Sequence, residues 1–232
     1  MRSTMSGIVC AVVVVLAGCR DAPPSSGTPV PSVVEQVEAV RAGRTATIQA
    51  TTPLSAAEWE ALCGLRGLRV LDLQAGRADD RMATILVSLP DVERLVLRES
   101  PLTDEGFETL ARLESLRDLN VPHAACTAAG VRALAQLPGL RALRLGGVRG
   151  SGTDVCEAVQ SLSGLRSLHL IDVPIGDAGL DVLARMDGLW NLYLDGAGVS
   201  NEAWSRYFGA RPTVHVHVDQ AHHDRDPGRH RH

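Results

Sequence analysis

The sequence predicts an α/β solenoid with parallel strands on a concave face and short helices on a convex face. Two observations predict it: one pattern is repeated six times at steps of 24 or 25 residues, and each copy changes from strand spacing to helix spacing. The copies begin at Leu65, Leu89, Leu113, Leu137, Leu162 and Met186.

Each copy opens with the pattern L-x-x-L-x-x-L-x-L, which the third copy shows between Leu113 and Val121. Further along a copy, apolar residues recur at helical spacing, as at Leu180, Leu183 and Ala184. A single copy has too little apolar surface to bury its leucines alone. Neighbouring copies must therefore stack and share one continuous core.

This pattern resembles leucine-rich repeat proteins of the ribonuclease-inhibitor-like and F-box-associated type. The resemblance implies a right-handed horseshoe arc. We expect an N-terminal capping helix and one degenerate repeat in residues 32–64, six repeats in residues 65–212, and a terminal strand in residues 213–219. Relatives of this type often select substrates for ubiquitin ligases, but this chain has no room for an F-box, so the resemblance carries no such function here.

The N-terminus predicts export and attachment to a membrane. The apolar run Ile8 to Ala17 has the length of a signal-peptide core and is too short to span a bilayer. It leads into Gly18-Cys19, and the sequence LAGC resembles a bacterial lipobox. The resemblance implies a signal peptide in residues 1–18, acyl chains on Cys19 and a Pro/Ser-rich tether in residues 19–31. In bacterial lipoproteins an Asp after the cysteine often signals retention in the inner membrane, and Arg20 stands there in this chain, so the resemblance favours the outer membrane over the inner one.

Composition and motifs argue against several functional classes. The chain has 23 basic and 27 acidic residues and a formal net charge of −4, which argues against a nucleic-acid-binding protein. The glycine-rich stretch Gly146 to Thr153 lacks the lysine of a phosphate-binding loop, and no catalytic signature is present, so we expect no enzyme. Cys63, Cys126 and Cys156 fall in apolar columns of different coils, which predicts buried free thiols.

The positions between the strand leucines face outward on the concave side, because side chains alternate along a strand. These positions are polar and mixed in sign, and concave faces of solenoids commonly bind partners. The first hypothesis is therefore a lipid-anchored extracytoplasmic module that binds a protein or peptide. The candidate partner-binding residues are Arg94, Arg98, Asp118, Arg144, His169 and Tyr193.

The C-terminus favours an alternative hypothesis, metal binding in the cell envelope. Six of the eight histidines lie in the last 18 residues. His215 and His217 point the same way on a strand, which suits Zn²⁺, Cu²⁺ or Ni²⁺. His222 or His223 would complete the site after a turn, with Asp219 as a ligand or hydrogen-bond acceptor. Residues 220–232 are predicted to be a His/Asp-rich disordered tail, and a purely structural envelope role is a third hypothesis.

Overall fold

One sheet of nine strands runs through residues 31–226, the part of the chain that this computed structural model describes. The strands follow sequence order; β1 to β8 are parallel, and β9 pairs antiparallel with β8. The strands are β1 Thr47–Ala50, β2 Val70–Leu73, β3 Arg94–Leu97, β4 Asp118–Val121, β5 Ala142–Gly146, β6 Ser167–Ile171, β7 Asn191–Asp195, β8 His215–Val218 and β9 Ala221–His222.

One helix precedes β1, and one helix follows each strand from β1 to β7. The helices are α1 Val33–Arg41, α2 Ala56–Leu62, α3 Asp80–Leu86, α4 Asp104–Leu110, α5 Ala128–Ala133, α6 Gly152–Gln160, α7 Gly176–Leu183 and α8 Asn201–Ala210. A short 3₁₀ turn at Leu134–Gln136 continues α5. Strand and helix alternate once per repeat, so the chain is a leucine-rich repeat solenoid, and the predicted fold class is confirmed.

The repeat leucines fix the register of the sheet. Leu71 pairs with Leu95, which pairs with Leu119, and the same column continues through every later coil to Val216 on β8. These side chains are completely or almost completely buried. A slip of one residue would turn each of them to solvent, so the apolar pattern specifies the pairing strongly.

The cysteines divide between the core and the surface. Cys126 and Cys156 are buried as predicted, and their burial raises the pKa of each thiol to about 12. They therefore act as small apolar side chains. Cys63 is exposed, contrary to the expectation, because it lies just past the last residue of α2, where the chain leaves the helix. All three thiols are free of disulfide bonds.

Carboxylates link successive coils on the helical side of the solenoid. Asp177 in α7 accepts hydrogen bonds from the backbone N–H of Ser200 at 2.8 Å and from its hydroxyl at 2.7 Å. Ser200 is the N-cap residue of α8, so one side chain joins two helices. Two further pairs repeat this arrangement, Asp80 with Thr103 and Asp104 with Thr127.

Helix α1 closes the N-terminal end of the solenoid. Ser32 and Glu35 form a capping box that starts the helix, as their spacing predicts. The buried side chains of the helix are three valines, Val33, Val37 and Val40. Gln36 completes the closure, because its amide oxygen accepts from the Gln49 N–H at 2.8 Å and its amide nitrogen donates to the Gln49 carbonyl at 2.9 Å. None of the helices in residues 31–226 is long and apolar enough to cross a membrane.

Candidate functional site

A column of paired residues crosses the concave face, one from each of the strands β2 to β8. We call it the central column, and it consists of Asp72, Val96, Asn120, Arg144, His169, Tyr193 and His217. All of its members except Val96 are polar or aromatic side chains that are partly exposed. The alternation of side chains predicts this column correctly, because the strand residues on either side of each member are buried, or partly buried in the case of Val218.

The first half of the concave face carries a partly buried ion pair. Arg94 Nη1 lies 3.3 Å from Asp118 Oδ2, and the two side chains are 49% and 29% exposed. Burial raises the pKa of the Asp118 carboxyl, and the positive charge of Arg94 opposes that rise. The carboxylate of Asp118 is therefore paired with a cation of the same chain, and Arg94 is not a free cation.

Three polar atoms in the middle of the concave face lack a hydrogen-bond partner within the described chain. They are Arg98 Nε, just after β3, Asn120 Oδ1 on β4 and Arg144 Nε on β5. All three atoms are shielded from solvent. A buried polar atom without a partner costs about 1–3 kcal/mol, and such atoms in native proteins usually mark a bound molecule, water or a functional constraint.

The second half of the central column is aromatic. The rings of His169 and Tyr193 have centroids 5.5 Å apart, and those of Tyr193 and His217 are 4.9 Å apart. His169 Nε2 also contacts Asp195 Oδ2 at 2.8 Å. Burial lowers the pKa of His169 and the Arg144 charge adds to this, whereas the hydrogen bond to Asp195 opposes it. The column thus connects Arg144 to the C-terminal histidines.

The C-terminal hairpin gathers four potential metal ligands, which we call the histidine cluster: His215, His217, His222 and Asp226. One ligand atom from each lies within 4.8 Å of the others. Asp226 Oδ2 lies 2.9 Å from His215 Nδ1 and 2.7 Å from His222 Nδ1. His217 Nε2 lies 2.9 Å from His215 Nε2. Burial lowers the pKa of His217, and the neighbouring imidazoles of His222 and His215 add to this effect.

A tight turn creates the histidine cluster. Asp219 and Gln220 have φ angles of 48° and 66°, and positive φ at both central residues is typical of a two-residue hairpin turn. The turn folds β9 back on β8, so that His222 pairs directly with His217. Residues 220–226 thus form a turn, a strand and a further turn, where the sequence predicted the start of a disordered tail.

Two predicted metal ligands lie outside the cluster. Asp219 is held in the turn, where its Oδ1 accepts from the Gly196 N–H at 2.9 Å. His223 lies just past the end of β9. Its ring lies against Trp204 and Phe208, with centroid distances of 4.7 and 4.9 Å. The structure brings the predicted ligands His215, His217 and His222 together and leaves Asp219 and His223 apart from them, and metal binding by any of them stays a prediction.

Sequence reasoning missed Asp226, whose side chain has no exposed area. The one available signal was its spacing, four residues after His222. The six predicted partner-binding residues all lie on or beside strands β3 to β7 of the concave face. Their role in binding stays a prediction. Cys19, the predicted lipidation site, lies outside the described residues.

No protein-family model and no curated protein matches the chain. Among solved structures, the chain is similar to the crystal structure of an internalin from Listeria monocytogenes. That similarity has 17% sequence identity and a TM-score of 0.47, and it covers 81% of this chain and 64% of the internalin chain. The chain therefore spans less than two thirds of the internalin's length.

Proposed function

We propose that the chain is a protein-interaction scaffold that binds a polar protein or peptide segment through its concave face. The observation that supports this most directly is the group of three shielded, unpartnered atoms on Arg98, Asn120 and Arg144. They lie on successive coils, so a segment that crosses the strands meets all three, at a spacing of about 4.8 Å per strand.

The chemistry of these atoms indicates what the partner carries. Arg98 and Arg144 present N–H donors, and Asn120 presents an acceptor. An extended peptide backbone supplies carbonyls for the arginines and an N–H for the asparagine. Neither Arg98 nor Arg144 forms an ion pair within the described residues, whereas Arg94 pairs with Asp118, so we favour a segment with acidic side chains. No catalytic step is part of this proposal, since the concave faces of repeat proteins serve as binding surfaces.

Two double variants with the same change of charge test the concave face. Arg98→Ala with Arg144→Ala removes the shielded donors, whereas Arg132→Ala with Arg185→Ala removes two exposed arginines from the helical side. After cross-linking in intact cells, we expect the concave variant to lose at least about tenfold in partner capture, which corresponds to 1.4 kcal/mol. The helical-side variant should capture partners as the unchanged chain does. Equal capture by both variants would reject this binding surface.

We also propose that Cys19 is acylated and holds the repeats outside the cytoplasm, at the outer membrane in preference to the inner one. The support is the sequence LAGC after an apolar run, together with the Pro/Ser-rich stretch that follows it. Cys19→Ser should stop incorporation of labelled palmitate and release the chain from the membrane fraction. Continued labelling of this variant would show that the lipid, if any, is attached elsewhere.

A further inference from the structure

We propose that the histidine cluster is a zinc site that fastens the C-terminal hairpin to the last coil of the solenoid. Its ligands are His215 and His217 on β8, His222 on β9 and Asp226 beyond β9. This inference is independent of partner binding on the concave face, because it concerns different residues and a different ligand.

The donor set matches the preferences of zinc. Three imidazole nitrogens and one carboxylate oxygen make four ligands without a thiolate, which suits a closed tetrahedral Zn²⁺ site. Ligands about 2.0–2.1 Å from a tetrahedral ion are about 3.3 Å apart. The cluster has its atoms within 4.8 Å of one another, and its shortest contacts are 2.7 and 2.9 Å. Small rotations of the rings therefore convert the cluster into a coordination sphere.

The buried carboxylate of Asp226 is a suitable ligand for a cation. The side chain of Asp226 has no exposed area, and it contacts the rings of His215 and His222. A carboxylate removed from water is stable when it is paired with positive charge or coordinates a metal ion. A divalent ion held by the three imidazoles would place such a charge beside the carboxylate, because metals bind imidazole in its neutral form.

The contact between His215 and His217 also supports an ion at this site. Their Nε2 atoms lie 2.9 Å apart, so two ring nitrogens of equal character face each other. Without an ion, one of these nitrogens donates a hydrogen bond to the other. With an ion between them, both present a lone pair to the same centre, and the backbone already places both rings on one side of β8.

The position of the cluster explains what the ion would accomplish. Strand β9 has only two residues, too few to hold the edge of the sheet by backbone pairing alone. The four ligands span residues 215–226 and join β8, β9 and the segment after it. Zinc therefore closes this chain segment over the sheet edge, and terminal coils of repeat proteins need such a cap.

Calorimetry on the purified, metal-free full chain with zinc alone tests the site at neutral pH. We expect one equivalent of zinc to bind with submicromolar Kd. Asp226→Asn and His217→Ala should each weaken binding by at least about tenfold, the loss that even outer-shell partners of metal sites cause. Cobalt in place of zinc should give the intense visible absorption of a tetrahedral centre in the unchanged chain and lose it in Asp226→Asn.

Two control variants separate a folded site from simple chelation by a histidine-rich sequence. His223→Phe keeps a ring against Trp204 and Phe208, and His230→Ala with His232→Ala removes the last two histidines of the chain. Both should bind zinc as the unchanged chain does. Equal losses for cluster and control histidines, an octahedral cobalt spectrum, or Kd values above the micromolar range would overturn the proposal.

Thermal unfolding shows whether a variant loses zinc binding because it lacks a ligand or because it fails to fold. Zinc should raise the Tm of the unchanged chain, and the rise should grow with the logarithm of the free zinc concentration once this exceeds Kd, because an ion that binds only the folded state stabilises it by mass action. Asp226→Asn should keep the circular dichroism of the folded chain and lose the response of Tm to zinc. A zinc-dependent Tm that survives this substitution would place the bound ion elsewhere.

Discussion

The two ends of the solenoid are covered in different ways, by an apolar helix at the N-terminal end and by a polar hairpin at the C-terminal end. At the N-terminal end, Val37 and two further valines of α1 are buried, and Gln36 pairs with the backbone of β1. At the C-terminal end, a hairpin covers β8 and encloses imidazoles around the carboxylate of Asp226. Each arrangement covers the edge strand of the sheet, which otherwise offers unpaired backbone groups to another chain.

The two ends differ in whether their stability depends on the solution conditions. An apolar cap contributes about 25 cal/mol for each Å² of apolar surface that it removes from water, and no ligand is required. A polar cap that binds zinc, as proposed above for the C-terminal end, changes in stability with the metal supply. We therefore expect the N-terminal end to be a constant part of the fold and the C-terminal end to respond to the medium.

Truncation of the apolar cap gives the larger expected effect. Val37→Ala should cost about 1–2 kcal/mol of unfolding free energy, because Val37 is 1% exposed and two buried carbon atoms are lost. Urea unfolding measures this cost, and amide hydrogen exchange locates it. Exchange should accelerate in α1 and β1, equally with and without zinc, and stay unchanged in β8 and β9.

We expect the change in exchange to stay near α1 because each coil of a solenoid contacts only its neighbours. Val34→Ala is the matched control, since Val34 lies on the same helix but is 51% exposed. It should change the unfolding free energy by less than about 0.5 kcal/mol, as is usual for surface substitutions. If the effect of Val37→Ala depended on zinc, the two ends would be coupled and the contrast between them would fail.

Sequence reasoning succeeds where the chain repeats. Leu95, Leu119 and Leu143 recur at one step of 24 residues, and their common burial allows a single register. The polar central column follows from the alternation of side chains along the same strands. For the concave face, the pattern therefore gives both the buried and the outward residues.

The ends of the chain are less predictable because they have no second copy. Whether His222 or His223 joins the cluster depends on the length of one turn, and the two-residue turn selects His222. Asp226 comes from beyond the last strand, where no periodic pattern places it. Cys63 shows the same limit inside the repeats, since the exact end of α2 decides whether its side chain is buried.

The smallest predicted effect concerns the carboxylate links between coils, which lie between the two ends. Hydrogen bonds from the backbone and hydroxyl of Ser200 lower the pKa of Asp177. A lowered pKa in the folded state contributes stability above the unfolded value of about 3.9, and this contribution is lost as the pH falls through the folded value. The link therefore weakens only in acid, below about pH 4.

Asp177→Asn should accordingly lower the urea midpoint at neutral pH, and the difference from the unchanged chain should shrink as the pH falls below about 4. Glu157→Gln is the control, an exposed acid on α6, and should leave the midpoint unchanged throughout. A constant difference at every pH would mean that packing, and not the charge of Asp177, holds α7 to α8. A shrinking difference would show that the middle of the solenoid, unlike its apolar N-terminal cap, is also sensitive to acid.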